Sequence, residues 1–222
     1  MGMGSGTDAR WKFLQDYATK LESLFRSATL PTVVDINLEG FGKLSSINNM
    51  FLAVGGAETV TIRNLVSNAT NFTAVDLFYY TNSIKYVKFV DCAFSPQNWT
   101  EAFRSASIIS VDGELDFSNT TNVTQMFTTA SNLTEVRFKA NTLKISMPKI
   151  NDSPLLSNAS LISIANGLNG SVTGQSIALH STPKARCSTI MGENMSGTFI
   201  ASDSGTLSLA DFITTIKGWT IA

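Results

Sequence analysis

Charge, cysteine and histidine are all scarce in this chain. Only 15% of the 222 residues are charged, 16 basic against 17 acidic. The basic excess on which nucleic-acid binding draws is therefore missing, and Asn, Ser and Thr must cover most of the surface. No apolar run nears the ~18 residues of a membrane span, and the N-terminus, MGMGSGTDARWKF, lacks the apolar core of a signal peptide. Gly6 stands where a myristoylation motif carries Ser or Thr. The expectation is that nothing in this chain directs export or anchors it to a membrane. The two cysteines, Cys92 and Cys187, lie in stretches of unlike character. Buried thiols, a disulfide and a reactive site are all open readings, with buried thiols the default. One histidine, His180, cannot build a metal site with Cys187 alone. There is no nucleophile elbow or phosphate loop, and no carboxylate pair in a pocket motif, so no enzymatic activity and no cofactor are expected.

What is present is a core-forming 43% of hydrophobic residues and an internal repeat. Phe51, Phe78, Phe103 and Phe127 are separated by 27, 25 and 24 residues. Met50, Leu77, Ala102 and Met126 precede them, and Ile47, Ala74, Trp99 and Val123 stand four residues before each Phe. One position earlier come Ser46, Thr73, Asn98 and Asn122, all residues that cap helices. The offset of four predicts a short capped helical turn with one buried edge. Strand-like alternation then follows in Ile36-x-Leu38, Val60-x-Ile62, Val87-x-Phe89, Leu115-x-Phe117 and Val136-x-Phe138. Leu115 comes late, as if Val111, Asp112 and Gly113 held a three-residue insertion.

The units N-V-T-Q-M-F and S-N-L-T-E-V-R-F resemble the BspA-like leucine-rich repeats of bacterial surface proteins, over roughly Val33 to Leu143. In that family a strand is followed by an Asn or Cys position, which falls here on Cys92 and Asn141 but on Phe41, Leu65 and Thr120 elsewhere. The resemblance implies an α/β fold: a leucine-rich-repeat-like solenoid of short strands and capped helical turns over residues 32–150. An N-terminal helix over 1–31 and a C-terminal α/β cap over 151–222 complete the expected domains.

The N-terminal helix is expected over residues 8–27, with Asp8 as its cap and Trp11, Leu14, Ala18, Leu21 and Phe25 along one stripe. It would either cap the solenoid or make a homo-oligomer, for instance a trimer. In the C-terminal region Ser157 or Asn158 caps a helix carrying Leu161, Ile164, Ala165 and Leu168 and ending at Gly170; Pro183 and Gly192 bound a second, and Gly218 ends a third. Short strands alternate with them and are expected to continue the solenoid sheet. The combination S-L-I-S-I-A-N-G-L-N-G, L-H-S-T-P-K-A-R-C and F-I-T-T-I-K-G-W-T looks like the ends of leucine-rich-repeat proteins encoded by tailed phages and prophages of gut bacteria.

Outward strand positions give a mixed row of Asp35, Asn37, Thr61, Arg63, Lys88, Asp116, Arg137 and Lys139, reinforced by Lys144 and Lys149. Tyr79, Tyr80 and Tyr86 near Lys88 form the candidate ligand patch, since tyrosines give broad contacts with a polar tip. Arg63, Tyr79, Tyr80, Tyr86, Lys88, Arg137 and Lys139 are thus the expected binding residues. Asp112, Glu114 and Asp116 read as a solvated acidic edge, with calcium binding the lesser alternative. Ten Asn-x-Ser/Thr sequons, Asn98 and Asn122 among them, follow from composition and capping rather than glycosylation. The resemblance implies a non-enzymatic virion component, a fibre, tail or capsid decoration assembled in the host cytoplasm, with other virion proteins or a host surface protein or glycan as partners. A fragment of a bacterial surface adhesin is the alternative.

Overall fold

The alternating segments fold as five short strands, β1 (Val33–Asn37), β2 (Thr59–Arg63), β3 (Tyr86–Val90), β4 (Ser110–Leu115) and β5 (Glu135–Phe138). A computed structural model describes residues 9–222, with side chains of the first helix from Lys12 onward. The five strands form one parallel sheet in chain order, the face of a parallel β-solenoid of about four turns. Register stacks like on like: Val34, Val60, Val87 and Val111 align, as do Ile36, Ile62 and Phe89. From Val60 and Ile36 onward these side chains are buried.

The opposite face is built from turns that are not helical. Ile47, Asn49, Phe51 and Ala53 each donate their N–H to a carbonyl of the next coil, on Thr73, Val75, Leu77 and Tyr79, at 2.8 to 3.0 Å. The residues between them, Met50 and Leu52, donate three residues back within the coil. Two residues in each of these turns adopt positive φ, four apart: Asn49 and Ala53, Asp76 and Tyr80, Glu101 and Ser105, Gln125 and Thr129. Left-handed backbone costs roughly 1–2 kcal/mol per residue. Four inter-coil hydrogen bonds of about 1 kcal/mol each offset that for two residues. Of the four expected caps three accept hydrogen bonds, Ser46 from Asn48 N–H at 3.2 Å and Asn98 and Asn122 from Thr100 and Thr124 N–H at 2.9 Å, but as turn-initiating contacts. The offset of four between Ile47 and Phe51, which predicts a helical turn, is instead reproduced by this turn geometry.

The same geometry corrects the N-terminal helix. Helix α1 spans Ala9–Tyr17, and its last turn closes with Ala18 N–H on Leu14 O. Beyond it Leu21, Ser23, Phe25 and Ser27 donate to Ser46, Asn48, Met50 and Leu52, so residues 20–30 are a further coil. Phe25 thereby becomes the first rung of a stack with Phe51, Phe78, Phe103 and Phe127, at centroid spacings of 5.3, 5.1, 5.7 and 5.4 Å. Such stacking adds about 0.5–1.5 kcal/mol per pair beyond burial. Residues 20–27 are therefore spent on the solenoid, and of the segment expected to oligomerise only α1 is left. The expected cap Asp8 and the Trp11 side chain lie outside the described residues.

The C-terminal region covers the end of the sheet without continuing it. Helix α2 (Asn158–Gly167), capped by Ser157 Oγ on Ser160 N–H, takes the place of a sixth strand. Ser160 Oγ accepts from Val136 N–H at 2.9 Å and Ser163 Oγ from Phe138 N–H at 3.0 Å, occupying the free edge of β5. Gly167 permits this approach, since a Cβ there would meet Phe138 Cβ at 2.5 Å. The helix ends at Gly167 rather than Gly170. Then come β6 (Ser176–Ile177) and α3 (Ser181–Cys187), whose cap is His180 Nδ1 on Thr182 N–H. Pro183 is the third residue of α3, and Gly192 lies inside β7 (Met191–Met195) instead of ending a helix. Strands β7, β8 (Thr198–Ala201) and β9 (Leu207–Ser208) form a separate antiparallel sheet, and β10 (Thr220–Ile221) pairs with β6. Between β9 and β10, α4 (Leu209–Asp211) runs into a π-helical turn, Phe212–Ile216. Just past that turn Lys217 is buried, donates Nζ to Asn141 Oδ1 of the last coil and lies 5.4 Å over the Phe212 ring. Burial pushes its ammonium below the ordinary lysine value.

Candidate functional site

On the outer face of the sheet the register aligns Asp35, Thr61, Lys88 and Asp112, with Val33, Thr59, Tyr86, Ser110 and Glu135 alongside. Part of the basic row expected there is paired with carboxylates of neighbouring coils. Arg63 Nε donates to both oxygens of Asp35 at 2.9 and 3.0 Å. Arg137 stands 3.9 Å from Asp112, and Lys139 Nζ lies 2.6 Å from Asp116. Thr61 is buried among these side chains, whereas Lys88 is exposed and has no ion pair among the described residues. Lys144 and Lys149 are exposed on the loop after β5.

The three tyrosines do not form one patch. Tyr79 and Tyr80 belong to the turn face, their rings 6.0 Å apart and edge-on, with the Arg104 guanidinium 5.5 Å above Tyr79. Tyr86 opens β3 on the sheet face, and among the described residues no ring contact joins it to the other two. Asp76, beside them on the turn face, has its carboxyl pushed up by burial and by Glu101, against the pull of Arg104 and Arg26.

The chemistry concentrates instead where the strands end. In β4 the pairing with β5 shifts between Ser110 and Glu114, so that Ser110 faces Glu135 and Glu114 faces Arg137. The expected insertion is thus a bulge inside the strand, with Val111 still in register with Val87. Gly113 makes it possible, with φ at 109° and a Cβ position only 2.7 Å from Phe89 O. Beside the bulge lies a notch of about 260 Å³ walled by Asp91, Cys92, Phe94, Glu114, Asp116 and Lys139. An adjoining depression of about 290 Å³ shares Phe94, Asp116 and Lys139 and adds Asn68 and Asn119.

The notch is held firmly. Asp116 Oδ1 accepts from the Ser118 N–H and hydroxyl, and its other oxygen accepts from Lys139. Burial alone would raise this carboxyl, but Lys139 and Ser118 outweigh burial and hold it below the ordinary aspartate value. Lys139 is correspondingly pushed up by its hydrogen bond and attraction to Asp116. The Phe94 ring is fixed by edge contacts to Phe72 and Phe89 at 5.7 and 5.3 Å. The Cys92 thiol donates to Ile62 O and Val90 O, and burial pushes it above its usual value, away from thiolate chemistry. Asp91 and Glu114 have no ion pair among the described residues. Larger depressions of about 510 and 480 Å³ elsewhere each carry a single carboxylate, Asp203 and Glu39, and no cation.

Lys139 is the one expected binding residue that lines the notch; Arg63, Tyr79, Tyr80, Tyr86, Lys88 and Arg137 lie elsewhere on the sheet and turn faces. Asp91 and Phe94 had no place among the expected residues. Their signal was indirect, an isolated Gly in a strand pattern that announces a bulge. Among the described residues no group of three or more His, Cys, Asp or Glu is placed to hold a metal ion, and no helix is long and apolar enough to cross a membrane. The chain matches no family model, no curated protein and no solved structure.

Proposed function

We propose that this protein is a non-enzymatic recognition and structural component of a phage virion, a fibre, tail or capsid decoration element, with repeats of the BspA-like leucine-rich type. The observation that carries the recognition part is the outer strand-end surface. Five parallel strands present side chains in register, and ion pairs from Asp35–Arg63 to Asp116–Lys139 fix them in place. A surface preorganised in this way loses little side-chain freedom when a partner docks, which is what a recognition element needs. The virion part rests on the resemblance of residues 151–222 to phage-encoded repeat proteins. Mass spectrometry of purified particles tests it: the chain is expected as a stoichiometric component, and its absence overturns the assignment. The repeat resemblance alone favours a second reading, a part of a bacterial surface adhesin, which a precursor carrying an export signal and wall anchor would support.

Self-association, if the virion reading holds, runs through α1. Phe13, Leu14 and Tyr17 are exposed there, with Phe13 and Tyr17 rings 4.8 Å apart. A solution mass of the intact chain and of the Phe13→Ser, Tyr17→Ser variant reads this directly: a trimer reduced to monomer is expected.

A further inference from the structure

We propose that the notch beside the β4 bulge binds one ring of a neutral or amino-bearing saccharide; this assignment rests on the recognition reading above and names its ligand class. A sugar ring carries hydroxyls that both donate and accept around its rim, and faces of C–H groups. The notch offers the complement. Asp91 and Glu114 are carboxylate acceptors with no ion pair among the described residues, and Lys139, held 2.6 Å from Asp116, supplies a charged donor beside a third acceptor. Charged groups make the stronger hydrogen bonds, so hydroxyl recognition is well served by this set. The fixed Phe94 ring provides the apolar wall.

Size and charge narrow the class. At about 260 Å³ the notch is smaller than the roughly 300–1,000 Å³ sites of drug-sized ligands, so it suits one ring, with the adjoining depression free for the next unit of a chain. Three carboxylates against one ammonium repel phosphate, sulfate and uronic acids and favour a neutral or protonated amino sugar. An extended peptide would need a free strand edge, but β3 and β4 are paired on both sides and the edge of β5 is taken by Ser160 and Ser163.

The test is a titration of the whole isotope-labelled chain, followed by amide NMR, with galactose, N-acetylglucosamine and glucosamine as probes and glucuronic acid as the charge control. Shifts confined to residues 91–94, 113–119 and 139 are expected with at least one of the first three at millimolar concentration, glucosamine strongest. Glucuronic acid should bind at least tenfold more weakly. Glu114→Gln and Asp91→Asn, both on the surface, should each weaken binding at least fivefold with the spectrum otherwise native, while Glu193→Gln, exposed on β7 away from the notch, leaves it unchanged. No shift with any probe up to its solubility, shifts indifferent to both carboxylate variants, or equal binding of glucuronic acid would overturn the assignment. Virions that contain the protein while no probe binds would remove the saccharide and leave the recognition role. Binding by a chain absent from virions would keep the saccharide site and remove the virion assignment.

Discussion

The two ends of the five-stranded sheet are finished differently. At β5 a helix closes the stack: Ser160 and Ser163 supply the oxygens that a sixth strand would have supplied, and Gly167 lets the helix axis come close enough for them to reach. At β1 no described element hydrogen-bonds the outer edge, and Val33 is 65% exposed. Helix α1 is fixed past the end of β1 by Gln15 Nε2 on Glu39 O and Lys43 Nζ on Asp16 O. A repeat stack needs an end that differs from its middle, because a coil like the others would invite another copy to add on. Here one end is closed by side-chain chemistry, and the other has its outer edge unpaired among the described residues. The stability of the molecule should follow that asymmetry.

The largest effect is expected in the middle of the phenylalanine stack. Phe78→Ala removes a fully buried ring with neighbours on both sides and should cost about 3–5 kcal/mol. Phe25→Ala, at the open end with one stacked partner and partial exposure, should cost about 2 kcal/mol. Urea unfolding midpoints at unchanged slope measure both, and equal losses would erase the distinction between the end coil and the middle. Next comes the closed end. Ser160→Ala with Ser163→Ala strands two strand amides and should cost about 2 kcal/mol, with faster hydrogen exchange at Val136 and Phe138.

The Asp116–Lys139 pair is smaller and depends on pH. Because Asp116 is held below its ordinary 3.8, its contribution is full above about pH 4 and is lost as pH falls through the lowered value. Lys139, raised above 10.5, contributes fully below that pH and loses its share as pH rises through the raised value. Lys139→Met should flatten the acid limb of the stability profile, by no more than about 1 kcal/mol since the lysine is half exposed. An unchanged acid limb would show that the pair is not formed in solution. The smallest effect belongs to the open edge: Val33→Lys should change stability by less than about 0.5 kcal/mol. A larger loss in the same urea experiment would mean that something covers β1.

Much of this architecture was legible in the residues. Val60-x-Ile62, Val87-x-Phe89 and Val136-x-Phe138 alternate with a period of two, and a period of two has one structural meaning. The spacing of four from Ile47 to Phe51 has two, because a helical turn and a turn hydrogen-bonded to the next coil both return a side chain to the same face after four residues. Leu21 and Phe25 show the same ambiguity, which is why a coil of the solenoid resembled the end of a helix. The candidate site was less legible still. Asp91, Phe94, Glu114 and Lys139 come from three successive coils, and only the bulge at Gly113 decides that they share a notch.

By itself, then, the sequence determined the repeat, its strands and its buried residues, since burial of an alternating pattern depends on neighbours close along the chain. The tertiary structure decided where each N–H finds its acceptor and which charges cancel. Those choices depend on groups some 25 residues away that are brought within about 3 Å only when the coils stack, as Arg63 meets Asp35 and Lys139 meets Asp116.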